Sequence, residues 1–242
     1  MKSLFIITGT SKGIGEALLQ LLSNNNENTI ISISRSQSNI SLSNVTHFEI
    51  DLGSFDQLVQ HLDKIFLKDD FEKVVLINNA GWIGEINHFG KLSHKSISDI
   101  YKINTVAPAI LMNEYFRHYA DLKSIKIIIN ISSGAAEKVI DGWSGYSSTK
   151  ASLNMLSKIA QAEADQAGNG IKVFAVSPGV VDTEMQKNIR SAPNSGFSNL
   201  EKFKNLKKQN NLSSPKEAAE KILQVISDYQ KFESVLLDVR KI

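Results

Sequence analysis

The amino-acid sequence predicts a single α/β domain, in which a doubly wound parallel sheet of about seven strands carries helices on both faces. Three observations predict this fold. Short runs rich in Ile and Val alternate with helix-length segments along the whole chain, which is typical of stacked βαβ units. The runs show little polar–apolar alternation, so each strand is expected to be buried on both faces. No shift in composition marks a second domain within residues 1–242.

The predicted strands are short apolar runs separated by polar or glycine-containing segments. They are Leu4–Ile7, Thr29–Ile33, Val45–Ile50, Val74–Ile77, Ile125–Ile131, Ile171–Val176 and Val235–Leu237. Each is far shorter than the ~20 apolar residues that span a bilayer. We therefore expect no contact with a membrane.

Apolar residues recur at helical spacing in four of the segments between the strands. The four stripes are Ile14, Leu18, Leu21 and Leu22; Leu58, Leu62 and Ile65; Ala151, Met155, Ile159 and Ala162; and Ala218, Ile222, Val225 and Ile226. Each stripe is expected to pack against the sheet. The last helix is expected to begin at Ser214-Pro215, because proline suits the first helical position and Glu217 falls in the first turn.

The composition excludes several classes of protein. The chain is 42% hydrophobic and 21% charged, which is typical of a folded globular domain. Its net charge of +2, without a long basic run, argues against a nucleic-acid-binding protein. The absence of cysteine excludes disulfides and thiol nucleophiles, and it fits a reducing compartment. Because Met1-Lys2-Ser3 leads directly into the first strand, we expect no secretory signal and a cytoplasmic protein.

A glycine-rich turn follows the first strand and precedes the first helix. It reads Thr8-Gly9-Thr10-Ser11-Lys12-Gly13-Ile14-Gly15. A strand-to-helix turn directs backbone N–H groups and the positive end of the helix dipole at one point, and glycines let a pyrophosphate approach that backbone. The spacing differs from the common dinucleotide fingerprint, so a plain glycine turn is the alternative. The position of the turn directly after a strand predicts a Rossmann-type phosphate site.

The end of the second strand bears on the choice of dinucleotide. NAD-specific sites place Asp or Glu there to bind the ribose hydroxyls. Here the chain reads Ile33-Ser34-Arg35-Ser36, without an acidic residue. Arg35 and Lys12 can instead make charge-assisted hydrogen bonds to a 2′-phosphate, which predicts NADP(H). The alternative is that Arg35 is a solvated loop residue.

Tyr146 and Lys150 form a Y-x-x-x-K pair on a predicted helix, so their side chains lie one turn apart on the same face. A tyrosine with an unperturbed pKa of about 10 exchanges protons poorly at neutral pH, whereas a nearby ammonium lowers that pKa. The pair therefore predicts an acid/base suited to interconverting a carbonyl and an alcohol. Such a pair also arises by chance, in which case both residues are structural.

Two further strands end in polar residues at the same predicted edge of the sheet. The fifth strand ends in Asn130-Ile131-Ser132-Ser133-Gly134, and the fourth ends in Asn78-Asn79-Ala80-Gly81. Ligands of open α/β sheets bind outside the carboxyl ends of the strands. These residues are therefore candidates for contacts with a cofactor and a substrate.

Together these motifs resemble the short-chain dehydrogenase/reductase family. The matching residues run in order along nearly the whole chain: T-G-x-x-x-G-x-G at 8–15, Asp51-Leu52, Asn78-Asn79-Ala80-Gly81, Asn104, Ser133, Tyr146, Lys150 and Pro178-Gly179-Val180-Val181-Asp182-Thr183. The separation of Ser133 from Tyr146 is also customary in the family, which makes Ser132 the structural neighbour.

The resemblance implies a catalytic set of Asn104, Ser133, Tyr146 and Lys150. Tyr146 would donate a proton to the carbonyl oxygen as hydride arrives, and Ser133 would hold that oxygen. Lys150 would lower the pKa of Tyr146 and bind the nicotinamide ribose, while Asn104 would hold a water linking Lys150 to solvent. The family's chemistry uses no metal, and the five histidines are scattered along the chain.

The resemblance also assigns contacts with the cofactor. Asp51 and Leu52 would meet the adenine, and Asn79, Ala80 and Gly81 would line the ribose. The turn Pro178-Gly179 would lead to Val181 and Thr183, which would fix the carboxamide. With Gly9, Ser11, Lys12, Gly13, Ile14, Gly15, Arg35, Tyr146 and Lys150, these residues are the predicted binding site for NADPH.

Within the family, the sequence looks most like the (S)-benzoin-forming benzil reductases and the related sepiapterin reductases. The likeness lies in residues 131–136, 142–146, 178–186 and 237–242. It implies reduction of one carbonyl of a small aromatic or vicinal ketone or diketone, with a pteridine reductase or another ketone reductase as the alternative. Trp143 and Met185 suit flat apolar substrates and join Ser133 and Tyr146 as substrate residues, although Trp143 can equally pack as core.

The segment Gln186–Ser214 is the least regular stretch of the sequence, rich in asparagine and interrupted by Pro193 and Gly196. It follows the predicted cofactor turn, so we expect a substrate loop, which is either a lid that closes over the substrate or a passive surface loop. The resemblance further implies a homodimer or homotetramer. A catalytically silent, dinucleotide-sensing regulator is the hypothesis from a different class. Such regulators typically lose the tyrosine or the lysine, and both are present here.

Overall fold

The computed structural model describes residues 1–36 and 42–242. One sheet contains seven strands: β1 (Ser3–Thr8), β2 (Asn28–Ser34), β3 (Val45–Glu49), β4 (Lys73–Asn78), β5 (Ile125–Ile131), β6 (Ile171–Ser177) and β7 (Leu236–Asp238). All seven predicted strands are confirmed, with ends that shift by at most one residue.

The strands are parallel and have the order β3-β2-β1-β4-β5-β6-β7. In the centre, Ile6 of β1 lies opposite Ile31 of β2 on one side and Leu76 of β4 on the other. The direction of strand addition therefore reverses between β1 and β4. This confirms the doubly wound fold and places the topological switch point, where open α/β sheets bind ligands, beside the glycine-rich turn.

Helices cover both faces of the sheet. They are α1 (Gly13–Ser23), α2 (Phe55–Val59), α3 (Leu62–Ile65), α4 (His94–Tyr101), α5 (Ala107–Tyr119), α6 (Ser144–Ala167), α7 (Glu184–Arg190), α8 (Leu200–Lys208) and α9 (Pro215–Ser227). A π-helical turn at Lys102–Val106 joins α4 to α5. In the parts of the chain that the structure describes, no helix has the length and apolarity needed to cross a membrane.

Two hydrophobic cores lie on opposite faces of the sheet. Ile7 and Ile77 pack with α1 and α9 on one face, whereas Ile6 and Leu76 pack with α2, α3, α5 and α6 on the other. Neighbouring residues of one strand thus enter different cores, which explains why the strand sequences do not alternate. Each fully buried Ile or Leu contributes roughly 1.5–3 kcal/mol, so the sheet is a rigid support for the groups at its carboxyl edge.

Of the predicted helical stripes, those of α1 and α9 are confirmed and the one at 58–65 is divided between two helices. The stripes of α1 and α9 pack into the core, and α9 begins with the expected capping box of Ser214 and Glu217. The stripe at 58–65 belongs to two short helices, α2 and α3, rather than to one.

The stripe predicted for α6 is wrong as a core-facing surface. Met155 is 56% exposed and Ile159 is 47% exposed, while the sheet-facing side carries small residues such as Ser157 and Ala160. Helical periodicity identifies an apolar face without saying what covers it, and here the small residues let α6 approach the sheet closely.

The segment 186–214 is more regular than its composition suggests. It contains most of α7, a 3₁₀ turn at Asn194–Gly196 and all of α8. Its apolar side chains Ile189, Phe197 and Leu200 are buried. These few residues are enough to fold the segment over the carboxyl edge of the sheet, although its closure as a lid stays a prediction.

Candidate active site

The glycine-rich turn and the segment after β4 are joined directly at the switch point. The Thr8 hydroxyl accepts hydrogen bonds from the backbone N–H groups of Asn79 and Ala80, both at 3.0 Å. The Asn79 side-chain amide donates to the carbonyls of Thr8 at 2.9 Å and Gly9 at 3.2 Å. Four hydrogen bonds therefore hold the two strand ends in one fixed arrangement.

Glycine is required at two positions of this turn because there is no room for a side chain. Gly9 has a φ of +73°, and a Cβ on it would lie 2.8 Å from the Ala80 Cα. A Cβ on Gly15 would lie 2.1 Å from the Gly9 carbonyl oxygen. Gly15 thus serves the close packing of α1 on the turn, and it does not line the cleft described next.

A cleft of about 1360 Å³ opens along the carboxyl edge of the sheet. It is lined by all the predicted cofactor and substrate residues except Gly15: Gly9, Ser11, Lys12, Gly13, Ile14, Arg35, Asp51, Leu52, Asn79, Ala80, Gly81, Ser133, Trp143, Tyr146, Lys150, Pro178, Gly179, Val181, Thr183 and Met185. A cleft of this size exceeds the roughly 300–1,000 Å³ of a typical small-ligand pocket. It has room for a dinucleotide and a substrate together.

Ser133, Tyr146 and Lys150 meet at the middle of the cleft. Ser133 follows β5 and accepts a hydrogen bond from the backbone N–H of Ala135 at 3.2 Å, which begins a 3₁₀ turn. Tyr146 and Lys150 lie one turn apart on the buried face of α6, and the Lys150 Nζ lies 5.8 Å from the centre of the Tyr146 ring. The Lys150 ammonium donates to the Ile131 carbonyl at 2.7 Å, which ties α6 to the end of β5.

Burial is the main influence on the pKa values of Tyr146 and Lys150. It raises the pKa of the Tyr146 phenol, while the hydrogen bond with Ser133 acts in the opposite direction. Burial also lowers the pKa of Lys150 to about 8. Burial of the phenol thus acts against the lowering of its pKa that the sequence predicts from Lys150, and the effect of Lys150 on Tyr146 stays a prediction.

Asn104 is fully buried in the π-helical turn, which contacts α6. Its Oδ1 accepts from the Trp82 backbone N–H at 2.8 Å, and its Nδ2 donates to the Trp82 carbonyl at 2.8 Å and to Thr149 Oγ1 at 3.1 Å. The asparagine thus fastens the segment after β4 to α6. Its role in holding a water for Lys150 stays a prediction.

The two ends of the cleft have different surroundings. Arg35 and Lys12 are exposed at the mouth, near the end of β2 and in the glycine-rich turn. Thr183, which precedes α7, packs against this turn, since a Cβ on Gly13 would lie 3.2 Å from its Cγ2. Asp51, predicted to contact adenine, follows β3 on one side of the switch point, whereas Thr183, predicted to contact the carboxamide, follows β6 on the other.

An aromatic cluster of Trp143, Tyr146, Phe197 and Phe203 closes the other end of the cleft. The Trp143 ring stacks on Phe197 with centroids 5.4 Å apart, and it meets Tyr146 edge to face at 5.5 Å. Trp143 is only 5% exposed and still lines the cleft. The two interpretations of this residue, as core and as substrate wall, are thus compatible.

Sequence reasoning missed two residues that matter here. Thr8 was treated as part of a motif, but its hydroxyl holds the two strand ends together. Gln186 was counted only as the start of a loop, but its side chain is buried and lines the cleft. Its position directly after Met185 was the available signal.

Comparison with known proteins agrees with this geometry. The family model for short chain dehydrogenase matches residues 3–194. A benzil reductase ((S)-benzoin forming) of Bacillus subtilis (strain 168) is 34% identical over 216 residues, which cover 88% of each chain. An enzyme of the same name from Bacillus cereus is 36% identical over 228 residues, covering 90% of this chain and 91% of the relative.

Solved structures share the fold over almost the whole chain. 4-Hydroxyisoleucine dehydrogenase complexed with NADH superposes with a TM-score of 0.79 at 24% identity, covering 98% of this chain and 96% of that chain. ElxO with NADP bound superposes with a TM-score of 0.77 at 23% identity, covering 99% and 97%. With the family model covering most of its length, this chain belongs to the short-chain dehydrogenase family, a family of oxidoreductases.

Proposed function

We propose that this protein is an NADPH-dependent carbonyl reductase that reduces one carbonyl of a small aromatic or vicinal ketone or diketone, as in the conversion of benzil to benzoin. The observation that carries this proposal is the meeting of Ser133, Tyr146 and Lys150 in the same cleft as the glycine-rich turn. The similarity to two benzil reductases at 34% and 36% identity supports the substrate class.

The residues at the switch point fit a nicotinamide dinucleotide. The glycine-rich turn presents backbone N–H groups at the start of α1, with no side chain at Gly9 or Gly13 to keep a pyrophosphate away. Gly81 leaves the floor of the cleft open, since a Cβ there would approach Lys150 Nζ to 3.5 Å. When bound, the reduced nicotinamide supplies the hydride for the carbonyl carbon.

The cationic mouth of the cleft supports NADPH over NADH. Arg35 and Lys12 both line it, and no acidic residue stands at 33–36 to repel a 2′-phosphate. Two bonds from charged donors to a phosphate are together worth a preference of at least about ten-fold. Arg35, Lys12 and the turn would therefore hold the phosphate end, and Asp51 would lie at the adenine.

The chain's own groups can complete the reduction by a proton transfer. Ser133 and Tyr146 lie near each other in the lining of the cleft, so both can contact one carbonyl oxygen. Because burial raises the pKa of Tyr146, the phenol is protonated at neutral pH and can donate to the oxygen as negative charge develops there. Lys150 lies beside the phenol and stabilises the phenolate that this transfer leaves behind.

The walls of the cleft support a flat, apolar substrate. Trp143, Met185 and Phe203 line it next to Tyr146, and Ile83 and Ile189 extend the same surface. Aromatic and thioether side chains pack well against the faces of aryl groups. An aryl ketone or diketone would be held with its carbonyl toward Ser133.

We also infer a homodimer or homotetramer in the cytoplasm. Val106 is 45% exposed, and with Met155 and Ile159 it leaves an apolar surface on α6 and the adjoining π-helical turn, which a second copy would cover. The cysteine-free sequence suits the reducing cytoplasm. Sedimentation of the protein and of Met155→Lys tests the assembly, and an unchanged monomer in both would contradict it.

The function is tested with the purified protein and a panel of benzil, an aliphatic vicinal diketone and sepiapterin. We expect steady consumption of NADPH with benzil, and a kcat/KM for NADPH at least about ten-fold above that for NADH. Faster turnover of sepiapterin would favour a pteridine reductase. Binding of NADPH without turnover of any carbonyl would contradict the proposal and favour a sensor.

A further inference from the structure

Two side chains at the substrate end of the cleft carry buried polar atoms without partners. Trp143 is 5% exposed and Gln186 is 8% exposed, and both line the cleft. Within residues 1–36 and 42–242, neither the Trp143 Nε1 nor the Gln186 Oε1 has a hydrogen-bond partner. Buried polar groups are almost always paired, so an unpaired donor and an unpaired amide in one cleft indicate that something else completes their bonding.

These two side chains reach the cleft from different elements. The Trp143 ring, just before α6, meets the Tyr146 ring edge to face, with centroids 5.5 Å apart. Gln186 lies in the first turn of α7, directly after Met185, which also lines the cleft. Both side chains therefore belong to the wall of the cleft that the substrate would enter.

Their chemistry suits a neutral oxygen. The indole N–H is a donor only, and the glutamine amide can present its NH₂ end by rotation about its last bond. Neither side chain is charged, so the pair favours a carbonyl oxygen over a carboxylate.

We propose that the Trp143 indole N–H, assisted by the Gln186 amide, binds the second oxygen of a vicinal dicarbonyl, on the carbon next to the one that is reduced. This rests on the proposed function and assigns the pair as the element that selects dicarbonyls over simple ketones. The aromatic walls hold the aryl groups of either substrate, whereas only the dicarbonyl offers the second acceptor.

One rival arrangement lies within α7. Arg190, one helical turn beyond Gln186, also has a buried Nη1 without a partner in the described part of the chain, and its other nitrogen lies 3.7 Å from Asp182. A small movement would let Gln186 accept from Arg190. In that case the glutamine would stabilise α7 and have no influence on the choice of substrate.

The test compares benzil with deoxybenzoin, in which a CH₂ group replaces the second carbonyl. The quantity measured is the ratio of their kcat/KM values in each enzyme, since this cancels the greater intrinsic reactivity of the diketone. Where deoxybenzoin turns over too slowly, its inhibition constant against benzil replaces its kcat/KM. We expect Trp143→Phe and Gln186→Met each to lower the ratio about ten-fold, because each removes one hydrogen bond that only the diketone accepts.

Phe197→Leu is the matched control, because the Phe197 ring stacks on Trp143 with centroids 5.4 Å apart, offers no hydrogen-bonding atom and does not line the cleft. It loosens the same cluster, and we expect the ratio to stay within about two-fold of the wild type. NADPH binding and thermal unfolding are measured on each variant, so that a misfolded Trp143→Phe leaves Gln186→Met to decide.

The outcomes separate the two proposals. A wild type that reduces neither substrate overturns the proposed function and this inference with it. Equal losses for both substrates in Trp143→Phe and Gln186→Met, or no change in the ratio, overturn this inference alone. A lowered melting temperature in Gln186→Met with an unchanged ratio identifies the contact with Arg190 instead.

Discussion

The cofactor end and the substrate end of the cleft are built in different ways. At the cofactor end, backbone groups and one side-chain amide join neighbouring strand ends, as Asn79 does for Thr8 and Gly9. At the substrate end, side chains from separate segments pack together, as Trp143 does with Phe197 and Phe203. In the first construction each half is a short motif, at 8–15 and at 78–81, so the sequence reveals it although 71 residues separate Thr8 from Asn79. In the second, Phe197 and Phe203 come from a segment without a motif, so the sequence does not reveal that they pack on Trp143.

The largest expected effect concerns Tyr146, where the two ends meet. Tyr146→Phe keeps the ring and its contact with Trp143 but removes the proton that the phenol donates. We expect a folded protein that still binds NADPH, with kcat for benzil lowered by on the order of 10²-fold or more. Stopped-flow and steady-state kinetics measure kcat for benzil in the variant and in the wild type.

Tyr101→Phe is the control for this change. The Tyr101 hydroxyl hydrogen-bonds Ser148 at 2.8 Å on the outside of α4 and α6, away from the cleft. Its loss should alter kcat by less than about two-fold. Reductase activity near the wild-type value in Tyr146→Phe would reject the phenol as the donor.

The sheet could be predicted almost completely because burial on both faces imposes long apolar runs. The seven strands are confirmed within one residue at each end. The packing of the helices was predicted less accurately, because periodicity alone does not distinguish a face covered by the sheet from a face that is exposed. Met155 and Ile159 of α6 show this, because their apolar stripe points away from the core.

The parts of the site in which the backbone geometry requires one residue type could be predicted from the sequence. Gly9 must be glycine at a φ of +73°, and the turn it belongs to was recognised from the sequence. Gln186 was missed because a single buried amide has no periodic or spacing pattern. The effect of burial on the pKa of Tyr146 and of Lys150 was also missed, because it follows from the folded structure.

Substitutions at Arg35 test how the cofactor end of the cleft recognises the 2′-phosphate. Arg35→Asp would replace attraction of the 2′-phosphate by repulsion, so we expect the KM for NADPH to rise by about ten-fold or more. The KM for NADH should change much less, since its ribose carries no phosphate. Arg35→Gln only removes the charge, so its KM for NADPH should lie between the values for the wild type and for Arg35→Asp. NADPH kinetics unaffected by Arg35→Asp would remove the basis for the NADP preference.

The pH dependence follows from Lys150, whose pKa burial lowers to about 8 from an ordinary 10.5. Reduction should decline above pH 8 as the ammonium that stabilises the phenolate loses its proton, while Tyr146 stays protonated. Stability should move the other way: between pH 8 and 10.5 the unfolded chain binds the extra proton, so this group favours the folded state increasingly as pH rises. Activity that stays level to pH 10 would show that the charge of Lys150 has no part in the reaction.

The smallest expected effect lies in the segment 186–214. Two polar contacts hold this segment at the surface: Asp141 accepts from the backbone N–H of Ser198 at 2.8 Å, and Lys207 donates to Asp182 at 2.6 Å.

Near the first of these contacts, Phe197 and Leu200 are buried in the aromatic end of the cleft, whereas most of α8 is polar and exposed. Such a segment opens more readily than the sheet. If it closes over the substrate, hydrogen exchange in 186–214 should slow when NADPH and a substrate analogue bind, while the strand cores at 4–7 and 125–131 change little. Exchange measured with and without ligands, followed by mass spectrometry of the peptides, decides this. Equal exchange in the two states would leave the segment a fixed wall, and access to the cleft would then depend on the side chains of Trp143 and Trp82.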